Sequence, residues 1–455
     1  MNKYKKQKFT AFFIFIVVLV LFLFVFFSNS FEREKPVVNI ADTIYWNTLG
    51  KIDLQIEDNV AIKNIKVEFS KNDEKEKNTL INQSVNTKSA NLNLELAKPK
   101  FNEKIEKYVL YISVRDASLW NWFMGNESKK VVNVIIDNKR PTVNVLANSY
   151  SITQGGAASV VFYAQDDNLE DLYIQANNHT FKVFPFYKEN YYIALIAWDL
   201  KDDDYEAKII ASDKAGNITK EHIRLYLQNR KYRVSNIKLN GNFIDGKIAD
   251  LFNMYSSQNS ESKEEIFDFV NSTLRLDNEK IIHKITSNLD LQMISDFSLK
   301  PFAPLRNGKK VADFGDHRFY SFNSKDISQS YHLGLDLAST KMAPINLSNS
   351  GKVVFAEENG IYGLNLIIDH GLGLFSLYGH CSKKNVELGD IVSANQSIAN
   401  TGTSGLALGD HLHFGMLVQG IEVRPEEWMD AKWMRDNVFN IIKSAKDIIN
   451  GKKSK

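Results

Sequence analysis

An unbroken apolar run from Ala11 to Phe27 constrains this chain more than any other feature. With Phe9 and Thr10 it approaches the ~20 residues that a helix needs to cross a bilayer. Lys3, Lys5, Lys6 and Lys8 precede it, whereas Glu32, Arg33, Glu34 and Lys35 behind it cancel. A cationic flank stays in the cytoplasm. Residues 1–8 therefore read as a cytoplasmic stub, 9–28 as a single transmembrane anchor, and the rest as an exported chain. A cleaved signal peptide would have an apolar core of only ~7–15 residues and an A-x-A-like site. The "SNS" at 28–30 matches such a site poorly, so the anchor is read as uncleaved.

The 455 residues exceed one ordinary core, and length alone suggests about three domains. The formal net charge of +2 gives no basic field of the kind nucleic acid attracts. Cys381 is the single cysteine, which rules out a disulfide framework within the chain.

Residues 36–230 alternate apolar and polar side chains, as in "KIDLQIEDNV", "IKNIKVEFS" and "KYVLYISVRD", the pattern of half-buried strands. A faint repeat relates "KIDLQIEDNVAIKNIKVEF" to "ASVVFYAQDDNLEDLYIQ", each a strand, an acidic turn and a strand. "DNKRPTVNV" marks a junction. Two immunoglobulin-like β-sandwiches are expected, at 36–138 and 139–230, against the alternative of one larger β domain. From 231 to 299 apolar residues recur at helical spacing, and Ser262 before "KEE" reads as an N-cap. This is a helical connector, in which His283 reads as an ordinary boundary residue. From 300 to 433 short strands return between glycine-rich turns such as "TGTSG". The tail at 434–455 reads as an amphipathic helix with a frayed basic end. The expected fold class is thus mainly β and multidomain: an anchor helix, two sandwiches, a helical connector and a C-terminal antiparallel β domain.

Six of the nine histidines, His317, His332, His370, His380, His411 and His413, fall in that last domain, where a β core has little use for them. Side chains two apart on a strand share a face, so His411 and His413 of "HLH" point one way and Leu412 the other. His332 and Asp336 of "YHLGLDLAS" are likewise on one face if that stretch is a strand. An imidazole and a carboxylate suit Zn²⁺. His332, Asp336 and one HLH histidine make three ligands, which leaves a fourth position for water, as in catalytic zinc sites. The residues alone leave His411 and His413 interchangeable as the third ligand. The spare HLH histidine and His380 of "LYGHC" could supply the base and the oxyanion donor.

The order HxxxD, YGH and HLHF, with "GLDLAS", "IIDHGLGLFSLYGH" and "GDHLHFGM" around it, resembles the M23 family of zinc metallopeptidases, the lysostaphin and LytM type. The resemblance runs from about Phe314 to Trp428. It implies His332, Asp336 and His413 as zinc ligands and His380 and His411 as the catalytic pair, with one Zn²⁺ per domain. It implies hydrolysis of peptide cross-links in bacterial peptidoglycan, with stem peptides as partners. The expected location is the cytoplasmic membrane, with the catalytic domain outside it and the β modules free to meet other envelope proteins. A D,D-endopeptidase is expected, with a D,D-carboxypeptidase or a glycine-bridge peptidase as alternatives. A non-hydrolytic activator of other wall hydrolases and an inert structural protein are disfavoured by the intact five-residue set. Cys381 stands where leucine is commoner in the family. Strand alternation turns it away from His380, so it reads as packing. His370 reads as structural, His317 has no assigned role, and Tyr320 and Tyr331 are candidates for oxyanion assistance.

Overall fold

The computed structural model describes residues 3–72, 74–100, 103–257, 260 and 262–452. The first two residues of the expected stub and the last three of the basic tail lie outside them. The chain divides into two compact units, one of Met1–Arg140 with Asn168–Glu170 and Ser212–Ile218, the other of the remainder.

The first unit begins with a helix over Lys3–Phe27. The window Lys6–Phe27 is long and apolar enough to cross a membrane, and none of it is buried inside the protein. Behind it a single six-stranded sheet runs in the order Val37–Asn39, Ile52–Lys71, Lys107–Asp116, Glu127–Ile136, Thr43–Trp46, with Asn78–Leu94 on the second strand. The strand–turn–strand expected over "KIDLQIEDNVAIKNIKVEF" is one continuous strand here. Its ladder slips between Glu57 and Ile62, so bulged residues absorb the acidic turn without breaking the strand. Leu54, Ile56, Ile62, Ile65 and Val67 point inward with Leu110, Val114 and Val132 in one core.

The second copy of the repeat behaves differently. Ala157–Gln165 and Leu169–Ala176 fall in separate four-stranded sheets. Ala157–Gln165 is almost wholly buried because the C-terminal helix Asn440–Ile449 covers it as well. Alternation is lost where both faces of a strand are dry. The one polar residue in its middle, Ser159, donates to Asn437 O at 2.5 Å.

The region at 231–299 is not helical throughout, as the connector reading had it. Val234–Lys238 is a strand that pairs in parallel with His317–Phe322, itself hairpinned to Lys325–Tyr331. Its "VSNIK" alternates with period two, which a search for helical spacing passes over. Helices then follow at Ala249–Tyr255, Lys263–Asp268 and Arg275–Thr286, the second capped by Ser262, whose Oγ accepts from Glu265 N at 3.3 Å. They lie on the last β region and share its core: Phe252, Phe267, Val270 and Ile282 are buried with Ile367, Phe375, Leu377 and Leu417.

That region is an antiparallel sheet in the order Lys309–Ala312, Leu335–Ala338, Leu412–Val418, Leu374–Cys381, Leu364–Asp369, Gly351–Glu358, Ile391–Val392, with Ile421–Val423 on the third strand. The two central strands, Leu412–Val418 and Leu374–Cys381, are buried at every residue.

Candidate metal centre and its cleft

Strand pairing assembles the site. Asp336 lies directly across from His413, and Gly379 pairs with His413 on the other side. His332 precedes the Leu335–Ala338 strand, in a short loop rather than on a strand face. It is delivered by the bond from its own N–H to Asp316 O at 3.0 Å. The loop passes close over His413: a Cβ on Gly334 would stand 2.6 Å from both Cε1 and Nε2 of that ring. Only glycine lets His332 and His413 approach the same carboxylate.

Three donor atoms converge. Asp336 Oδ1 lies 3.0 Å from His332 Nε2 and 3.0 Å from His413 Nδ1, and the two nitrogens are 3.2 Å apart. His332 Nδ1 is 2.8 Å from Asp313 O, which accepts its proton, so Nε2 turns a lone pair on the carboxylate and on the second imidazole. Lone pairs this close repel unless a proton or a metal ion lies between them. Two nitrogens and a carboxylate oxygen, with the Asp313 carbonyl fixing the His332 ring, are a donor set for Zn²⁺. His413 Nε2 is buried with no hydrogen-bond partner among the described residues, and the Tyr362 ring stands edge-on to it, centroids 5.5 Å apart.

His380 and His411 flank this cluster. His380 Nδ1 donates to Ser404 O at 2.9 Å, and His411 Nδ1 to Gly409 O at 2.7 Å. Each ring thereby keeps Nε2 free. His411 Nε2 is 3.6 Å from Asp336 Oδ1, and the two rings are 4.8 Å apart. His380 adopts φ +61°, in the left-handed region that non-glycine residues seldom enter. The ladder to Leu364–Asp369 slips there, Leu364 facing Cys381 and Leu366 facing Tyr378. This bulge aims His380 at the site.

Burial raises the Asp336 carboxyl, but the neighbouring His332, His411 and His413 outweigh it and hold it well below the ordinary range. Burial pushes His380 down to about 3, helped by the neighbouring His413 and His411, and pushes His413 down to about 4. Burial also works against the His411 imidazolium, yet the Asp336 carboxylate prevails and raises it. Two imidazoles are thus kept neutral, which suits metal ligation and proton acceptance.

The five residues open into a cleft of about 990 Å³, whose walls include Arg233, Arg318, Tyr320, Tyr362 and Leu408. Tyr320 is buried beside Phe267, its OH 3.5 Å from Ser330 Oγ. Tyr331 does not line the cleft; it stacks on His317, 4.2 Å between centroids, and His317 Nε2 bonds Gln329 Oε1 at 2.8 Å. His370 is buried between Ser350 O (2.9 Å) and Ser376 Oγ (2.7 Å), and burial pushes it down to about 4. Cys381 is buried, with Sγ 3.6 Å from Tyr378 O, and burial pushes its thiol up to about 12. It is core packing, although the bulge at His380 breaks the alternation from which that was inferred. Sequence reasoning missed Gly334, Tyr362 and the three carbonyls that orient the rings. The lone glycine in "HLGLD" was the visible signal.

Residues 330–425 match the model of Peptidase family M23. The chain is 35% identical over 100 residues to the peptidoglycan DD-endopeptidase ShyB of Vibrio cholerae, covering 22% of this chain and 23% of ShyB. It is 32% identical over 96 residues to the murein hydrolase activator EnvC of Escherichia coli, covering 21% and 23%. The chain spans less than a third of the length of the first curated relatives, 27% and 23%. Among solved structures, the catalytic domain of lysostaphin from Staphylococcus simulans is 28% identical over 27% of this chain and 92% of its own, with a TM-score of 0.23. The chain carries a Peptidase family M23 domain over residues 330–425.

Proposed function

We propose that the chain is a zinc-dependent endopeptidase that hydrolyses peptide cross-links of bacterial peptidoglycan. His332, Asp336 and His413 hold the metal, and His380 and His411 act on the substrate. The observation that carries this reading is the convergence of all five side chains on one cleft, with both spare imidazoles pinned at Nδ1 and open at Nε2. Zn²⁺ bound there supplies Lewis-acid polarisation of a carbonyl and acidifies water. One Nε2 takes the proton of the attacking water, and the other, protonated, donates to the oxyanion. The amide C–N bond then breaks, and the amine leaves with the transferred proton.

The chain is read as anchored in the cytoplasmic membrane by residues 9–28, N-terminus inside, with the cleft outside, where peptidoglycan lies. Residues 36–138 and 139–230 are read as β modules that span the distance to the wall, 231–299 as a segment that packs on the catalytic domain at 300–433, and 434–455 as its tail.

Detergent-solubilised full chain incubated with purified sacculi tests the reading. Cross-linked muropeptide dimers should fall by mass spectrometry, a chelator should stop the fall, and His380→Ala should slow it ~10²–10⁴-fold while keeping its metal. The similarity to EnvC supports a second reading as an activator. Full metal content with no change in any muropeptide would sink hydrolysis in favour of that role.

A further inference from the structure

The loop at 117–126 carries Leu119, Trp122, Phe123 and Met124 exposed, at 40%, 88%, 66% and 59%. Trp122 is the most exposed large apolar side chain among the described residues. The loop is not loosely held. Leu119 N donates to Ser30 O at 2.7 Å, and Ser118 Oγ to Glu32 O at 2.7 Å. Asn126 Nδ2 donates to Glu32 O at 3.1 Å. Phe123 meets Phe31, centroids 6.3 Å apart, and the Arg33 guanidinium lies 4.3 Å from the Trp120 ring and 4.9 Å from Phe26. Asn121, Trp122 and Phe123 all have positive φ, 51°, 56° and 64°, a run that bulky residues rarely adopt. The fold thus holds apolar side chains outward instead of letting them turn in.

The loop is tied to the residues that follow the apolar helix. From Phe9 to Phe27 that helix is roughly 28 Å long at 1.5 Å per residue, close to the ~30 Å hydrocarbon thickness of a bilayer. With Phe27 at the hydrocarbon boundary, Ser30 and Arg33 fall at headgroup level, and the loop bonded to them falls there too. Aromatic rings with one polar edge favour that zone.

We infer that residues 119–124 form a second membrane contact, seated in the outer headgroup region beside the anchor and occupied by lipid. This rests on the reading of residues 9–28 as a membrane anchor. It gives the first β unit a fixed orientation on the bilayer, which a single flexible tether would not.

The test reconstitutes the full chain in phosphatidylethanolamine–phosphatidylglycerol vesicles. Trp122 emission is taken as the difference between the chain and Trp122→Phe. Lipid brominated just beneath the headgroup should quench most of that difference, and aqueous iodide little of it. Quenching by iodide and not by bromolipid, in a chain that floats with the vesicles, overturns the lipid contact and leaves the anchor standing. Shielding from both quenchers places protein on the loop and likewise overturns it. A chain that does not float with the vesicles overturns the anchor reading, and this inference with it.

Discussion

At the scale of single residues, the candidate metal centre depends on an atom that is missing. Gly334 has no Cβ, and the space it leaves is occupied by the His413 ring. Gly334→Ala must push the ring or the loop aside by several tenths of an ångström, which moves His413 Nδ1 or His332 Nε2 away from Asp336. Its expected effect is a loss of metal affinity of ~10–100-fold, the range seen when ligands lose their positioning, with circular dichroism unchanged. Zinc titration of the purified variant checks this, and wild-type affinity would refute the close-approach account. The residue types here were readable in advance, because histidine and aspartate at these spacings have few other uses in a β domain. The approach of the Gly334 loop was not, because it depends on where a second strand lies.

At the scale of elements, the helices before the M23 domain are part of its core. Phe267 is buried against Tyr320, ring centroids 5.0 Å apart, in the same cluster as Phe375 and Leu417. Phe267→Ala should destabilise that sheet by ~3–5 kcal/mol, the cost of a large cavity. In urea, unfolding followed at the sheet and at the helices should shift together to lower concentration. Separate transitions, with the sheet unmoved, would show that the helices are a detachable connector. Ser262 was legible as an N-cap because capping is local. The Val234–Lys238 strand was not, because its parallel partner, His317–Phe322, lies some eighty residues further along the chain.

At the scale of the molecule, the second β region and the M23 domain are joined through buried polar groups. Glu427 accepts from Ala157 N at 3.0 Å and lies 3.3 Å from Arg424 Nη1. Burial pushes its carboxyl up to about 7, although Arg424 opposes the shift. A carboxyl that holds its proton more tightly folded than unfolded makes stability fall as pH rises from the unfolded value, 4.5, to about 7. The slope is at most ~1.4 kcal/mol per pH unit. Glu427→Gln should flatten the melting-temperature profile across that window and leave it unchanged below it. An unaltered slope would mean that Arg424 keeps Glu427 ionised throughout.

The sequence by itself determined an anchor-length apolar helix, the β character of most of the chain, and the five residues that meet in one cleft, because each is written in local composition or spacing. Which ring nitrogen of His332, His380 and His411 points away from the backbone was decided only by the carbonyls of Asp313, Ser404 and Gly409. The left-handed turn at His380 came from a slipped ladder. The fusion of helices and sheet into one core came from packing between distant segments. Spacing along a chain fixes what can share a face. Only the folded chain fixes what that face meets.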